Sequence, residues 1–151
     1  MPSYGFRRRV ACYITRPVGD GLELLVFDHA DDDPDEPSGT QIPAGGMLPF
    51  EGIEDAAARE AAEETGLTGL EFVAQLGGIE IALGEPGGPS VTTYVHLTAG
   101  PDVPATWQHQ VTGDGADAGM TFVCRWERLP LEVELAGGQG AYLDAVAVDS
   151  N

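Results

Sequence analysis

The chain has 151 residues, with 25 Asp and Glu against seven basic residues and a formal net charge of −18. All seven cations are arginines, which excludes mechanisms that need an amine, among them Schiff-base catalysis and the phosphate-binding lysine of a Walker loop. The same charge repels long nucleic acids, and 42% hydrophobic residues suffice for one ordinary core, so a single domain over residues 1–151 is expected.

At the N-terminus, Arg7, Arg8 and Arg9 precede an apolar run from Val10 to Ile14, which Thr15, Arg16 and Pro17 interrupt. That run is shorter than the roughly 7 to 15 residues of a signal-peptide core, and no stretch approaches the roughly 18 to 20 apolar residues of a membrane span. A cytoplasmic protein without a membrane partner is expected. Residues 7–16 and 22–29 are rich in branched and aromatic side chains around the turn Pro17-Val18-Gly19-Asp20-Gly21, the pattern of a hairpin or meander. The acidic segment from Asp31 to Pro37 lacks the spaced oxygen ligands and closing Glu of a calcium loop and reads as a solvated connection.

Residues 41–49 form a short segment containing Gly45 and Gly46. From Ile53 to Thr65 the composition turns to Ala, Glu, Arg and Asp; Glu54 and Asp55 suit a first turn, and Gly66 suits a left-handed cap, so a helix is predicted over 53–65. Strands are predicted over 71–83 and 91–98, then a loop over 99–118 and a strand over 120–127. In the tail, Tyr142, Leu143, Val146 and Ala147 have helical spacing, although Gly137, Gly138 and Gly140 weaken its start. The outline is α+β, with a mixed sheet between helices. Cys12 and Cys124 read as two buried free thiols, since no motif sets a base beside either.

Glu60, Glu63 and Glu64 stand at i, i+3 and i+4, which brings three carboxylates to one helical face, and only Arg59 is near enough to offset them. Hard oxygen ligands in such a cluster call for Mg²⁺ or Mn²⁺. On the residues alone, a solvated acidic stripe is the commoner arrangement.

The wider segment narrows the choice. Gly45, five residues, Glu51, seven residues, then Arg59-Glu60-Ala61-Ala62-Glu63-Glu64-Thr65-Gly66-Leu67 resembles the Nudix box, G-x5-E-x7-R-E-U-x-E-E-x-G-U with U a bulky aliphatic residue. The lead-in Gln41-Ile42-Pro43-Ala44 is also similar to the family's approach to the box. Three positions depart from it: Ala61 fills the first aliphatic place, and Leu48 and Phe50 stand where many members carry Glu and Gly.

The resemblance implies a Nudix-like α/β/α sandwich and a divalent-metal-dependent hydrolase. Its substrate would be a nucleoside diphosphate linked to another group, cleaved at the diphosphate by metal-activated water. By position, Glu60 and Glu64 would be the main ligands of Mg²⁺ or Mn²⁺, Glu63 a further ligand or base, and the Gly45 carbonyl a backbone ligand. Arg59 and Glu51 would form the ion pair that orients the carboxylates. Two alternatives share the fold: a nucleotide-derivative sensor without turnover, and an isoprenoid diphosphate isomerase, which the lack of a cysteine in an active-site motif disfavours. A homodimer would also be in keeping with the family.

Outside the box, Asp114 and Asp117 in the glycine-rich stretch 113–119 are candidate bases. Trp107 and His109 are candidates to stack on a nucleobase or contact phosphate, with core packing as the competing role. Strand alternation sets Arg7 and Arg9 on one face, where an arginine fork suits a phosphate, unless the first strand is a solvated edge whose charges deter pairing.

Overall fold

The computed structural model describes residues 6–31, 34–35, 37–100, 102–113, 115 and 117–149, without the side chains of 147–149. The first two branched segments pair as an antiparallel hairpin, β1 (Arg7–Val18) and β2 (Gly21–His29), around Gly19 and Asp20. There follow β3 (Ala44–Gly46), α1 (Ile53–Thr65), β4 (Glu71–Ile81), β5 (Ser90–Thr98), β6 (Thr106–Gln110), β7 (Thr121–Arg128), a 3₁₀ turn at Ala136–Gly138 and α2 (Leu143–Asp149). The sheet order is β4-β5-β1-β2-β7-β6, with β3 added to β1. β1 and β5 run parallel from Arg7↔Ser90 to Thr15↔Thr98 and the other pairs are antiparallel, so the sheet is mixed, as predicted.

Period-two alternation along β1 divides the core into two layers. Val10, Cys12 and Ile14 lie with Leu25, Phe27, Val95 and Phe122 beneath Ala56, Ala57 and Ala61 of α1. Ala11 and Tyr13 lie on the opposite face with Leu24, Val26, Tyr94 and Val146 of α2. The alanines let α1 settle close to the sheet, and the Cys12 thiol reaches the Ala57 carbonyl at 3.8 Å. Ala61, where the box calls for a bulkier aliphatic, is fully buried in the same layer. Both cysteines are free and buried; burial pushes the Cys12 thiol up and the Cys124 thiol up to about 12, so neither offers a thiolate.

Four expectations need correction. β1 is an interior strand, bonded to β2, β3 and β5, so its arginines do not protect a sheet edge. The stretch 99–118 is not wholly loop: it contains β6, an edge strand paired with β7 from Thr106↔Arg125 to Gln110↔Thr121. In the tail the glycines confine regular helix to Leu143–Asp149 and leave a 3₁₀ turn before it, with Tyr142 outside the helix. β4 stops at Ile81, short of Leu83. In the acidic connection, Asp32, Asp33 and Glu36 lie outside the described residues. No helix among the described residues is long and apolar enough to cross a membrane.

The C-terminal segment is fastened to the sheet through one buried hydroxyl. Tyr13 donates to the Gln139 carbonyl at 2.5 Å and accepts from the Tyr142 N–H at 3.1 Å. Burial raises its pKa above the usual tyrosine range, so it stays a neutral donor. The Gln139 side chain in turn accepts from the Ile42 N–H at 2.9 Å, which braces the lead-in to β3. Tyr13→Phe removes the bridge at constant ring packing and leaves both backbone groups without this partner; a loss of about 1–3 kcal/mol in urea unfolding is expected.

Candidate functional site

α1 presents one face on which small apolar residues and acids alternate: Ala56, Ala57, Glu60, Ala61, Glu64 and Thr65 are all buried. Packing the alanines against β1 therefore carries two carboxylates inward, leaving Glu60 only 8% and Glu64 only 4% exposed. The helix starts at Gly52, which makes no side-chain cap, and ends at Gly66, in the left-handed conformation (φ 79°) with its N–H on the Ala62 carbonyl.

Arg59 organises the acids. Its Nε and Nη2 grip Glu51 at 2.8 and 2.9 Å, Nη1 meets Glu60 and Glu63 at 3.0 Å each, and Nη2 also donates to the Gly46 carbonyl at 2.8 Å. Each donor of the planar fork has a partner, a geometry that lysine cannot reproduce. The bidentate contact holds the Glu51 carboxyl below its usual range, and the surrounding acids raise the guanidinium further.

Glu64 is different. Its Oε1 accepts from the Ala44 N–H at 2.7 Å, and among the described residues it has no ion pair. Burial first, then the charges of Glu60 and Asp117, push its carboxyl up to about 8 against the opposing Ala44 bond and Arg9. Glu60 is shifted the same way by burial, against the charge of Arg59. Gly45 faces Glu60 so closely that a Cβ there would lie within 3.0 Å of the Glu60 carboxylate and displace it.

These residues line a cleft of about 570 Å³. Arg7, Arg9, Gly45, Arg59, Glu60, Glu63, Glu64 and Asp117 all border it. The loop that supplies Asp117 is tied to the helix where the Thr112 N–H donates to the Glu63 carbonyl at 3.0 Å, and Gly113 abuts the Glu63 carboxylate. Asp114 lies outside the described residues.

Trp107 and His109 are not brought into the cleft. From β6, Trp107 Nε1 donates to the Thr65 carbonyl at 2.8 Å and His109 Nε2 donates to the Glu63 carbonyl at 3.0 Å, so both side chains satisfy the open carbonyls at the C-terminal end of α1. The cue in the sequence was the alternation Thr106-Trp107-Gln108-His109-Gln110, which marks a strand carrying two ring N–H donors on one face.

Among the described residues, no three acidic, histidine or cysteine side chains are assembled as a ready metal cage; Arg59 holds Glu60 and Glu63 while Glu64 turns to Ala44. The donor chemistry nevertheless fits a hard divalent cation. Two buried carboxylates line an open cleft, one of them against Gly45 and the other without an ion pair among the described residues, so a cation would relieve the burial that raises both.

A family model described as the NUDIX domain matches residues 5–140. A Nudix hydrolase from M. smegmatis, RenU, aligns at a TM-score of 0.67 with 20% identity, over 98% of this chain and 88% of that one. The NUDIX domain of Shewanella oneidensis NrtR, solved with ADP ribose, aligns at 0.61 with 18% identity, over 98% and 88%. A MutT/nudix family protein from Enterococcus faecalis aligns at 0.56 with 24% identity, over 85% of this chain but only 46% of its own length. These structures share the fold. No curated protein matches the sequence.

The raised Glu64 carboxyl makes stability depend on pH. The folded protein binds this proton more tightly than the unfolded chain, so the contribution is full below the ordinary carboxylate range and is lost as pH rises through about 8. Without metal, the melting temperature is expected to fall between about pH 5 and pH 8, and Glu64→Gln to make that fall shallower. Thermal unfolding at stepped pH in chelator checks this, and equal slopes for the two proteins would refute the assignment.

Proposed function

Because the chain belongs to the Nudix family, we propose that it is a divalent-metal-dependent hydrolase of a diphosphate linkage in a nucleoside diphosphate joined to another group. The observation that carries this reading is the Arg59 network with Glu51, Glu60 and Glu63, beside a cleft lined by Glu60, Glu63, Glu64, Arg7 and Arg9. The proposal treats the described elements as one catalytic domain.

Glu60 and Glu64, with the Gly45 carbonyl, would hold Mg²⁺ or Mn²⁺, and Glu63 would add a ligand or act as base. When bound, the cation neutralises phosphate charge and lowers the pKa of water. The protein's own part is to orient and to exchange protons. Arg59 and Glu51 fix the carboxylate orientations. Water attacks one phosphorus, the bond from that phosphorus to the bridging oxygen breaks, and the water proton passes to Glu63 or Asp117, both at the cleft. The products are a phosphate monoester and a second phosphate-bearing half.

Elimination supports Arg7 and Arg9 as the cationic contacts to the diphosphate. Arg16 pairs with Glu23, Arg125 with Asp28 and Glu127, Arg128 with Asp20, and Arg59 with the acids, while Arg8 donates to the Glu51 carbonyl and does not line the cleft. Arg7 and Arg9 line the cleft and have no ion pair among the described residues. The second reading, nucleotide binding without turnover, draws on the ADP ribose held by the S. oneidensis NrtR domain and separates from the first by product formation alone.

Glu60→Gln and Glu64→Gln are each expected to lower kcat about 10²- to 10³-fold with the fold intact by circular dichroism. Arg59→Lys, which keeps the charge but not the fork, is expected to cost about 10- to 100-fold. Phosphate release should be screened over nucleotide sugars, dinucleoside polyphosphates and nucleoside di- and triphosphates. Chelator should abolish it and Mg²⁺ or Mn²⁺ restore it; turnover that survives chelation, or glutamine variants within a few-fold of the parent, would overturn the proposal.

A further inference from the structure

The turn between β3 and α1 places an aromatic ring where folding gains nothing from it. Phe50 is fully exposed, at 103% of its reference area, so its ring contributes no packing. It is also the one non-glycine residue among the described residues with positive φ, at 65°, a conformation that a bulky side chain disfavours. Glycine would remove both penalties. Leu48, two residues earlier on the same turn, is 53% exposed and lines the cleft.

The turn is held from several sides. The Glu51 N–H donates to the Leu48 carbonyl at 3.1 Å, the Leu48 N–H to Glu51 Oε1 at 2.9 Å, the Met47 N–H to the Arg8 carbonyl at 2.7 Å, and Arg8 Nη2 to the Glu51 carbonyl at 3.4 Å. Arg59 clamps the Glu51 side chain from α1. An exposed aromatic ring on a fixed, unfavourable backbone, in a turn whose Leu48 lines a charged cleft, has the character of a binding element.

The cleft lining supplies charge and glycine for a diphosphate, but no aromatic side chain is among its described lining residues. Trp107 is engaged with the end of α1. We infer that Phe50, with Leu48 beside it, is the stacking surface for the planar base of the substrate, and so discriminates nucleoside diphosphate compounds from diphosphates that lack an aromatic ring. This rests on the reading of the cleft as a diphosphate site.

Calorimetric titration in Mg²⁺ with two non-hydrolysable probes tests it: adenosine α,β-methylenediphosphate, which carries a base, and methylenediphosphonate, which does not. Phe50→Gly is expected to weaken the adenosine probe about tenfold and leave methylenediphosphonate unchanged, while Phe50→Trp binds the adenosine probe as the parent does. The melting temperature of Phe50→Gly should equal or exceed that of the parent, which removes misfolding as a cause. Equal affinity of Phe50→Gly and the parent for the adenosine probe overturns the inference, as does a parent that binds neither probe. If instead Phe50→Gly alters only sedimentation, the ring belongs to a contact between copies and the inference falls. A parent that shows this base-dependent binding but hydrolyses nothing would refute the proposed hydrolysis and leave the stacking role standing; turnover with unchanged affinities would do the reverse.

Discussion

One guanidinium holds the site together. Arg59 reaches three segments that are separate in sequence: its own helix through Glu60 and Glu63, the turn before the helix through Glu51, and β3 through the Gly46 carbonyl. Without it, Glu60, Glu63 and Glu64 would repel one another along one face and oppose the helix that carries them. With it, two of the three are neutralised locally, and α1 can bring the remaining charge under cover. The turn inherits its rigidity from the same contact, because Glu51 is both the partner of Arg59 and the acceptor for the Leu48 N–H.

Packing and electrostatics are coupled through the alanines. A larger residue at Ala56, Ala57 or Ala61 would hold α1 away from β1 and expose the carboxylates; the small side chains sink the helix and leave Glu64 nearly dry. The resulting upward displacement of the Glu64 carboxyl marks a spot where a positive partner would offset the burial. The overall acidity therefore does not decide the local field at the cleft, which a few buried groups and two arginines set.

Much of this was legible in the sequence. The helix over Ile53–Thr65 has the predicted bounds because its composition, first-turn acids and terminal glycine agree. Gly45, Arg59, Glu60, Glu63 and Glu64 of the box meet at one cleft because the helix period sets the acids on one face and Gly45 approaches it closely. What escaped were features decided by tertiary context. β6 is short, polar and at the sheet edge, so its alternation carries little hydrophobic signal, and the role of its Trp107 and His109 depends on which helix end lies opposite. The glycines of the tail were read as a weak helix start, whereas in the structure they make a 3₁₀ turn whose next residue, Gln139, is bonded to Tyr13 and Ile42. Phe50 was visible only as a departure from a glycine-favouring position; that it adopts the glycine conformation anyway is a property of the backbone.

The Tyr13, Gln139 and Ile42 contacts have a consequence for biogenesis. Gln139 follows Tyr13 by 126 residues, yet it braces Ile42, in the segment that leads into β3. During synthesis from the N-terminus, β1 emerges early but cannot acquire this brace until residues near 140 have left the ribosome. The interior strand β1 must also wait for β5 before its parallel edge is covered. The nascent chain therefore carries an open, partly apolar strand until β5 is made, and the segment that carries Gly45 reaches its final support only after Gln139, which makes loss of the residues around Gln139 more damaging to the site than their distance along the chain implies.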